Sequence, residues 1–410
     1  MFMAIMESKD KPMRYLPVIT TACIFIGTAA AAQTDYSAML REQGLANTVA
    51  TLQSRAAPTP SDAFALGGAQ FLLTVEHALQ TRFATAINED MLDEVDLPFL
   101  RLPQNLINPA PSPFQPDIIA EIFATAVTDL SGAITALDTI TDTANVSVKI
   151  NPADIWFDIN GNDTHDNGEG FYGIVAPQLD LSADTRNLLI QFDTADAAWL
   201  SAYAHVLSGI SETILSVDPT AAITRVTQSA RAFDTFNQGQ DKRLGGFVHE
   251  PIIDLLAMFI LAIEGTPDAA RLGAAHMHFQ SMIADNKKFW ARLAAETDNK
   301  LEWIPNANQQ SALPIPFPAE IGETWRDILA DGEAILNGDL LIPHWRLGPD
   351  AGINLLKFVQ NPPDINLISM IQGETVLPYV QHGNVAAMQS WRTFERMLGG
   401  DAPLYAVILN

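Results

Sequence analysis

Apolar residues recur at intervals of three and four through most of the chain, the spacing that turns one face of a helix toward a core. It predicts amphipathic helices over 35–56, 61–85 and 116–140, and again from Asp193 onward. Between the second and third, 102–116 carries Pro103, Pro109, Pro111, Pro113 and Pro116 and reads as an irregular surface loop. The texture changes at 146–192. Val146-Ser147-Val148-Lys149-Ile150 alternates, a Gly/Asn/Asp-rich stretch follows, and Leu188-Leu189-Ile190-Gln191-Phe192 closes it, which predicts two short strands around a loop.

The second half carries clear helix punctuation. Asp193-Thr194-Ala195-Asp196 has the form of a capping box, its side-chain oxygens placed to accept the free N–H groups of a first turn. Gly265-Thr266-Pro267-Asp268 reads as a closing glycine, an N-cap threonine and a first-turn proline, so helices 250–264 and 267–296 are expected to form a tight antiparallel pair. Because 251–263 is hydrophobic on every side, it is predicted to be a central, buried helix. Further helices are expected at 319–337, ended by Gly338, and at 384–398, ended by Gly399-Gly400, with the proline-rich 304–318 as another irregular connection. The fold class is therefore mostly α, with packed helical hairpins in a bundle, toroid or solenoid-like arrangement. A single domain over 33–410 is the reading; the alternative divides it in two at 146–192. No repeat of fixed period is found.

Composition removes several classes. With 48% hydrophobic and 17% charged residues among 410, the chain is not disordered by composition. Its formal net charge of −25 repels phosphate backbones and anionic lipid, so no nucleic-acid partner is expected. The N-terminus adds an address. Lys9, Lys11 and Arg14 precede an apolar run from Leu16 to Ile26, and Ala30 and Ala32 fit an A-x-A cleavage site, so 1–32 reads as a secretory signal peptide starting at Met1 or Met13. That run is too short to cross a bilayer core of roughly 30 Å as a helix. A periplasmic or secreted protein is expected. Cys23 is the single cysteine and lies inside the run, so the mature chain would have neither disulfides nor a thiol nucleophile. No later stretch is read as a membrane segment; the most apolar, Leu255 to Ile263, is bounded by Asp254 and Glu264.

One stretch carries chemistry. Asp158-Ile159-Asn160-Gly161-Asn162-Asp163-Thr164-His165-Asp166-Asn167-Gly168-Glu169 places oxygen-bearing side chains at positions 1, 3, 5, 9 and 12 of a twelve-residue loop. It resembles the EF-hand calcium loop, in which a hard cation gathers six to eight oxygens and a final Glu closes the cage bidentately. That resemblance implies Asp158, Asn160 and Asn162 as side-chain ligands of Ca²⁺ and Thr164 as a carbonyl ligand. Asp166 would bind directly or through water, and Glu169 would be bidentate. Two positions depart from the pattern. Asp163 stands where a glycine with positive φ is usual, and His165 stands where an aliphatic residue pairs with a partner loop. The flanks read as extended rather than helical, so a lone, structural calcium loop outside a helix–loop–helix frame is expected.

Other constellations fail on geometry or specificity. His276 and His278 are two apart, so on a helix they point about 200° away from each other and cannot share a metal. His276 falls on an apolar stripe, and His205 on a helix apolar on most sides; both read as hydrogen-bonded core histidines. His249-Glu250 and His344-Trp345-Arg346 sit at element ends. Carboxylate pairs such as Asp193 with Asp196, or Asp331 with Glu333, cannot be told from caps and solvated faces. The chain has no G-x-S-x-G, H-E-x-x-H or Gly-rich phosphate loop. The stretches Phe192-Asp193-Thr194-Ala195-Asp196, Glu302-Trp303-Ile304-Pro305-Asn306 and Ile371-Gln372-Gly373 resemble an uncharacterised group of secreted bacterial helical proteins, which implies the helical fold and the exported address and supplies no catalytic residue. The functional expectation is an exported binding or interaction protein with one structural Ca²⁺ and a ligand or protein partner whose identity the sequence leaves open. The alternative is an exported hydrolase acting on a glycan or peptide through acidic residues.

Overall fold

The computed structural model describes residues 34–85, 87, 97–179, 181, 185–237 and 250–410. The stretch read as a signal peptide, with Cys23, lies outside the described residues, as does His249. The architecture is mostly helical. Three long helices, α1 (Tyr36–Gln53), α2 (Pro60–Ala84) and α3 (Ile118–Leu137), precede a two-stranded antiparallel sheet of β1 (Val148–Ile150) and β2 (Ile190–Phe192). Val148 pairs with Phe192 and Ile150 with Ile190. Then come α4 (Thr194–Val217), α5 (Thr220–Asn237), α6 (Glu250–Ile263), α7 (Ala269–Leu293) and α8 (Ile321–Leu336). A second small sheet, β3 (Ala351–Ile353) with β4 (Val380–His382), encloses the short helices α9 (Leu355–Gln360) and α10 (Leu367–Gln372). Helices α11 (Gln389–Leu398) and α12 (Ala402–Leu409) end the chain. Residues 35–410 form one compact unit.

The caps follow the local chemistry. Thr59 and Asp62 exchange side-chain and backbone bonds at the start of α2, and Asp193 with Asp196 do the same at α4, satisfying orphan N–H groups at both ends of each box. The core is built by α4 lying along α7, α3 between α2 and α4, and α1 on α2. Phe123, Leu79, Leu130 and Phe289 are fully buried in it. Among the described residues α3 is long and apolar enough to cross a membrane by length and composition, a stretch the sequence reading passed over. In this fold it packs against α2 and α4, with Phe123, Ala126, Leu130 and Ala133 buried.

Two expectations need correction. Thr266 does not cap α7; Asp268 does, its carboxylate accepting from the Ala270 and Arg271 N–H groups, and Pro267 stays outside the helix. Gly265 does take the expected positive φ, +114°. The helices on either side of it find other partners: α6 pairs with α5 and α7 with α4. For the same reason 251–263 is not a central buried helix. With α7 turned toward α4, α6 is left at the surface, and Ile253, Leu256 and Phe259 are more than half exposed.

Candidate metal sites and an apolar cavity

The loop 158–169 hangs between a 3-10 turn at Pro152–Asp154 and a single helical turn at Phe171–Ile174. Its ends are clipped together by the Phe157 N–H donating to the Glu169 carbonyl at 2.9 Å and the Phe171 N–H donating to the Ile155 carbonyl at 3.0 Å. Inside, side-chain oxygens hold the backbone. The Asp158 carboxylate accepts from the Asn162 and Asp163 N–H groups at 3.0 and 2.9 Å. Asn160 Oδ1 also accepts from Asn162 N–H, and Asn162 Oδ1 accepts from Thr164 N–H. The Asp166 carboxylate takes the side-chain amides of Asn160 and Asn162 at 2.8 Å each, which hold its pKa below the usual range. Glu169, with no exposed surface, accepts from the Ile159 and Asp166 N–H groups at 2.9 and 2.7 Å. Asp163 sits at φ +58°, so an aspartate occupies the left-handed position where glycine is usual.

The six residues named from the sequence thus fall in one turn. Asp158, Asn160, Asn162 and Asp166 are joined by hydrogen bonds, Glu169 lies beneath them, and Thr164 is exposed at the outer bend. The donor set is all oxygen, which suits a hard cation such as Ca²⁺. His165, the second departure from the pattern, stacks on Trp156 with ring centroids 5.2 Å apart. One neighbour escaped the sequence reading. Glu76 of α2, only 2% exposed, accepts the Asp158 N–H at 2.8 Å, and Gln80 one turn later donates to the Asp158 carbonyl at 2.7 Å. Burial, reinforced by the charges of Asp158 and Glu169, pushes Glu76 up to about 7. Burial beside Asp158 raises Glu169 as well. The available signal was a carboxylate in the apolar run Phe71–Leu79 of α2.

A second carboxylate group forms where β2 enters α4. Ligand oxygens of Asp193, Glu296 and Glu302 lie within 4.8 Å of one another, and this partly buried triad could hold a metal ion. Elements far apart in sequence build it: the Gln191 N–H donates to the Leu301 carbonyl at 3.0 Å, laying 300–303 beside β2, and Gln309 holds Glu296. Burial raises the pKa of Asp193, Glu296 and Glu302, with neighbouring carboxylates adding to it, and Glu296 reaches about 8. Asp196, behind Asp193 and 5% exposed, is pushed well up by burial and then by Asp193. Desolvated carboxylates crowded in this way favour either shared protons or a bound cation. The sequence names Asp193 and Asp196 as a cap and as a carboxylate pair it cannot tell from one, and Glu302 only as part of a resemblance; nothing local links 193 to 302.

Between the two groups lies an apolar cavity of about 220 Å³. The 146–192 segment supplies one wall through Val148, Ile150, Phe171 and Phe192, and α1, α2 and α4, with Trp303 and with Val407 and Ile408 of α12, supply the rest. Trp199 and Trp303 line it and meet edge-on at 5.3 Å. Two polar atoms on lining residues, the Thr48 hydroxyl and the Trp303 indole N–H, are buried without a hydrogen-bond partner. No protein-family model matches the chain, and neither a curated protein nor a solved structure is significantly similar to it.

The remaining candidates are structural. Asp331 accepts from Ser390 and Glu333 pairs with Lys287, so that carboxylate pair is spent. Trp345 donates to the Ile371 carbonyl and carries the Arg346 guanidinium over its ring. His276 binds the Leu336 carbonyl at 2.8 Å. His278 does not join it but meets His205 across the α4–α7 contact, Nδ1 to Nδ1 at 2.8 Å, with Asp285 3.9 Å from the His205 Nε2. Burial and then the neighbouring ring push His205 down to about 4, and burial lowers His278. Both imidazoles are therefore neutral in the fold, whereas in the unfolded chain they protonate near 6.5. The stability they contribute is complete above pH 6.5 and lost as pH falls toward 4, by roughly 3 kcal/mol for His205. Urea unfolding of His205→Asn, which keeps an amide near Nδ1, is expected to remove most of that acid-side loss; an unchanged profile would refute the assignment.

Proposed function

We propose that this protein is an exported, cation-stabilised binding protein: Ca²⁺ held by Asp158, Asn160, Asn162, Thr164, Asp166 and Glu169 pins the 146–192 segment, and that segment walls the cavity that receives an apolar ligand. The observation that carries this reading is the shared wall, since the strands flanking the loop are the ones that line the cavity. The role of Ca²⁺ is structural, because the loop's side-chain oxygens are turned onto its own backbone and onto the Asn160 and Asn162 amides, and none of these residues lines the cavity. A periplasmic or secreted address rests on the pattern of 1–32, and cleavage after Ala32 leaves Gln33 as the first residue, readable by intact mass of the exported chain.

The cavity exceeds the ~150 Å³ that admits benzene in an engineered core, so a bicyclic apolar probe such as naphthalene fits the size. Gly68 of α2 supplies the test. It lines the cavity, and a Cβ there meets only Leu200 Cδ2 at 3.8 Å, so Gly68→Leu fills the space without a backbone clash. Wild type is expected to bind naphthalene saturably, more tightly in Ca²⁺ than in EGTA, and Gly68→Leu to bind at least tenfold more weakly while melting no lower. Equal binding by the variant would overturn the reading. A hydrolase acting on a glycan or peptide is the second reading, favoured by the raised carboxylates of Asp193, Glu296 and Glu302; against it, none of the three lines the cavity.

A further inference from the structure

Helix α6 is apolar apart from Glu250 and Asp254, and two of its faces do different things. Leu255, Met258 and Ala262 line a second cavity, of about 500 Å³, whose opposite walls include Ile214 and Val217 of α4 and Ile223 of α5. On the other side Ile252, Leu256 and Phe259, at i, i+4 and i+7, are 43%, 52% and 62% exposed. Phe259 belongs to both faces, since it also lines the cavity. At the far end of α5, Phe233 and Phe236 stand out from the surface as well. The helix that roofs the cavity thus offers apolar surface from the solvent to the interior.

We propose that this cavity is a binding site for the single long hydrocarbon chain of a fatty acid or lysolipid, with the polar end left outside. Three observations fix the ligand class. The volume lies within the ~300–1,000 Å³ of small-molecule pockets. Among the described residues the wall offers no free polar side chain to a ligand: the hydroxyls of Thr213 and Thr227 are spent on the carbonyls of Gly209 and Ile223. Water would find almost no partner there, and an empty void of this size forfeits dispersion contacts on every side. Phe259 both lines the cavity and is 62% exposed, so the cavity's edge there presents apolar surface to solvent, which suits a chain rather than a compact polar molecule. This site is separate from the cavity between α1, α2 and α4 and does not depend on the calcium reading.

The test uses a long-chain fatty acid with a diazirine in its chain, irradiated with the intact protein and mapped by peptide mass. Label is expected on 213–223 and 255–262; label confined elsewhere, or none, overturns the site. Presenting the same probe in phosphatidylcholine vesicles distinguishes the source: labelling from vesicles alone assigns the chain to a bilayer lipid, and labelling from solution assigns it to a free amphiphile. Titration with the fluorescent fatty acid cis-parinarate is expected to saturate and to weaken at least tenfold in Ala262→Trp or Val217→Phe. Gly68→Leu is expected to leave it unchanged. Loss in Gly68→Leu with binding intact in the α6 variant would place the chain in the other cavity and overturn the proposal, and because the photolabel needs no variant, a misfolded substitution does not leave the question open.

Discussion

In EGTA the protein is expected to lose stability as pH rises from 6.5 to 8, and millimolar Ca²⁺ to restore it. The sign follows from carboxylates held above their ordinary values. In the unfolded chain Glu76 and Glu296 ionise near 4.5, whereas in the fold they stay protonated up to about 7 and about 8. Such groups stabilise the fold fully below pH 4.5, and the contribution is lost as pH rises through the folded values. Below 6.5 the His205–His278 pair works in the opposite direction; from 6.5 to 8 the carboxylates act, joined by His77, whose pKa is raised by its hydrogen bond to Asp129 and whose contribution is lost in the same sense as pH rises. There Glu296 and the end of the Glu76 titration together remove roughly 2–3 kcal/mol, at 1.36 kcal/mol per pH unit. Glu76→Gln keeps an oxygen for the Asp158 N–H and removes the charge facing Asp158 and Glu169, so it is expected to flatten part of the slope. Calcium that binds only the native state adds about 2.7 kcal/mol at a hundredfold excess over Kd. Two variants separate the sites: Asp158→Ala with Glu169→Gln abolishes the gain if the loop holds the ion, and Glu302→Gln abolishes it if the triad does. A calcium gain that survives both, or a stability that climbs from pH 6.5 to 8 in EGTA, would contradict the assignment of these carboxylates.

How much of this was legible in the sequence depends on the distance over which each feature is decided. The capping box at Asp193, the strands at 148–150 and 190–192 and the turn of 158–169 are local, set by neighbours within a few residues, and the chain states them directly. Even the glycine-like position of Asp163 was readable from the loop's spacing. What failed was partner choice. The punctuation at 265–268 correctly marks a break between helices, yet α7 packs along α4, with Ile283, Phe289 and Leu293 among its buried residues, and α6 is left with α5. A helix apolar on all sides then reads as central, although it separates an apolar cavity from solvent. The sites show the same division. The proposed loop ligands lie within twelve residues, a span that spacing can read; Glu76 lies 82 positions from the Asp158 N–H it accepts, and Glu302 more than a hundred from Asp193. Composition and period carry no information about such meetings, which only the packing of α2 beneath the loop and of 300–303 along β2 creates.

Gly44→Ala is expected to be the most damaging single methyl in the molecule's first half, and to reach the proposed calcium loop. Gly44 interrupts α1 with φ +71° and ψ −178°, a region that is essentially glycine's alone and that strains other residues by roughly 1–3 kcal/mol. Its missing side chain is also occupied space: a Cβ would stand 2.8 Å from Trp156 Cζ2 and 3.1 Å from Cη2. Overpacking of that kind costs about 1–3 kcal/mol more. Trp156 has little room to yield. Its indole N–H donates to the Leu40 carbonyl at 3.0 Å, and its other face carries His165 of the loop. Displacing the indole therefore shifts His165, the residue that precedes Asp166 in the loop. A loss of roughly 2–5 kcal/mol in urea unfolding is expected, together with a weaker response to Ca²⁺ in the same buffer. Gly273→Ala is the control: it sits in α7 with nothing within 4 Å of its added Cβ, and the gain in helix propensity is expected to stabilise by roughly 0.5–1 kcal/mol. Should Gly44→Ala fall within 1 kcal/mol of wild type, the kink is not held by glycine and Trp156 does not brace the loop. A full stability loss with an unchanged calcium response would instead keep the kink and detach it from the metal site, because strain confined to α1 leaves the positions of His165 and its neighbours as they were.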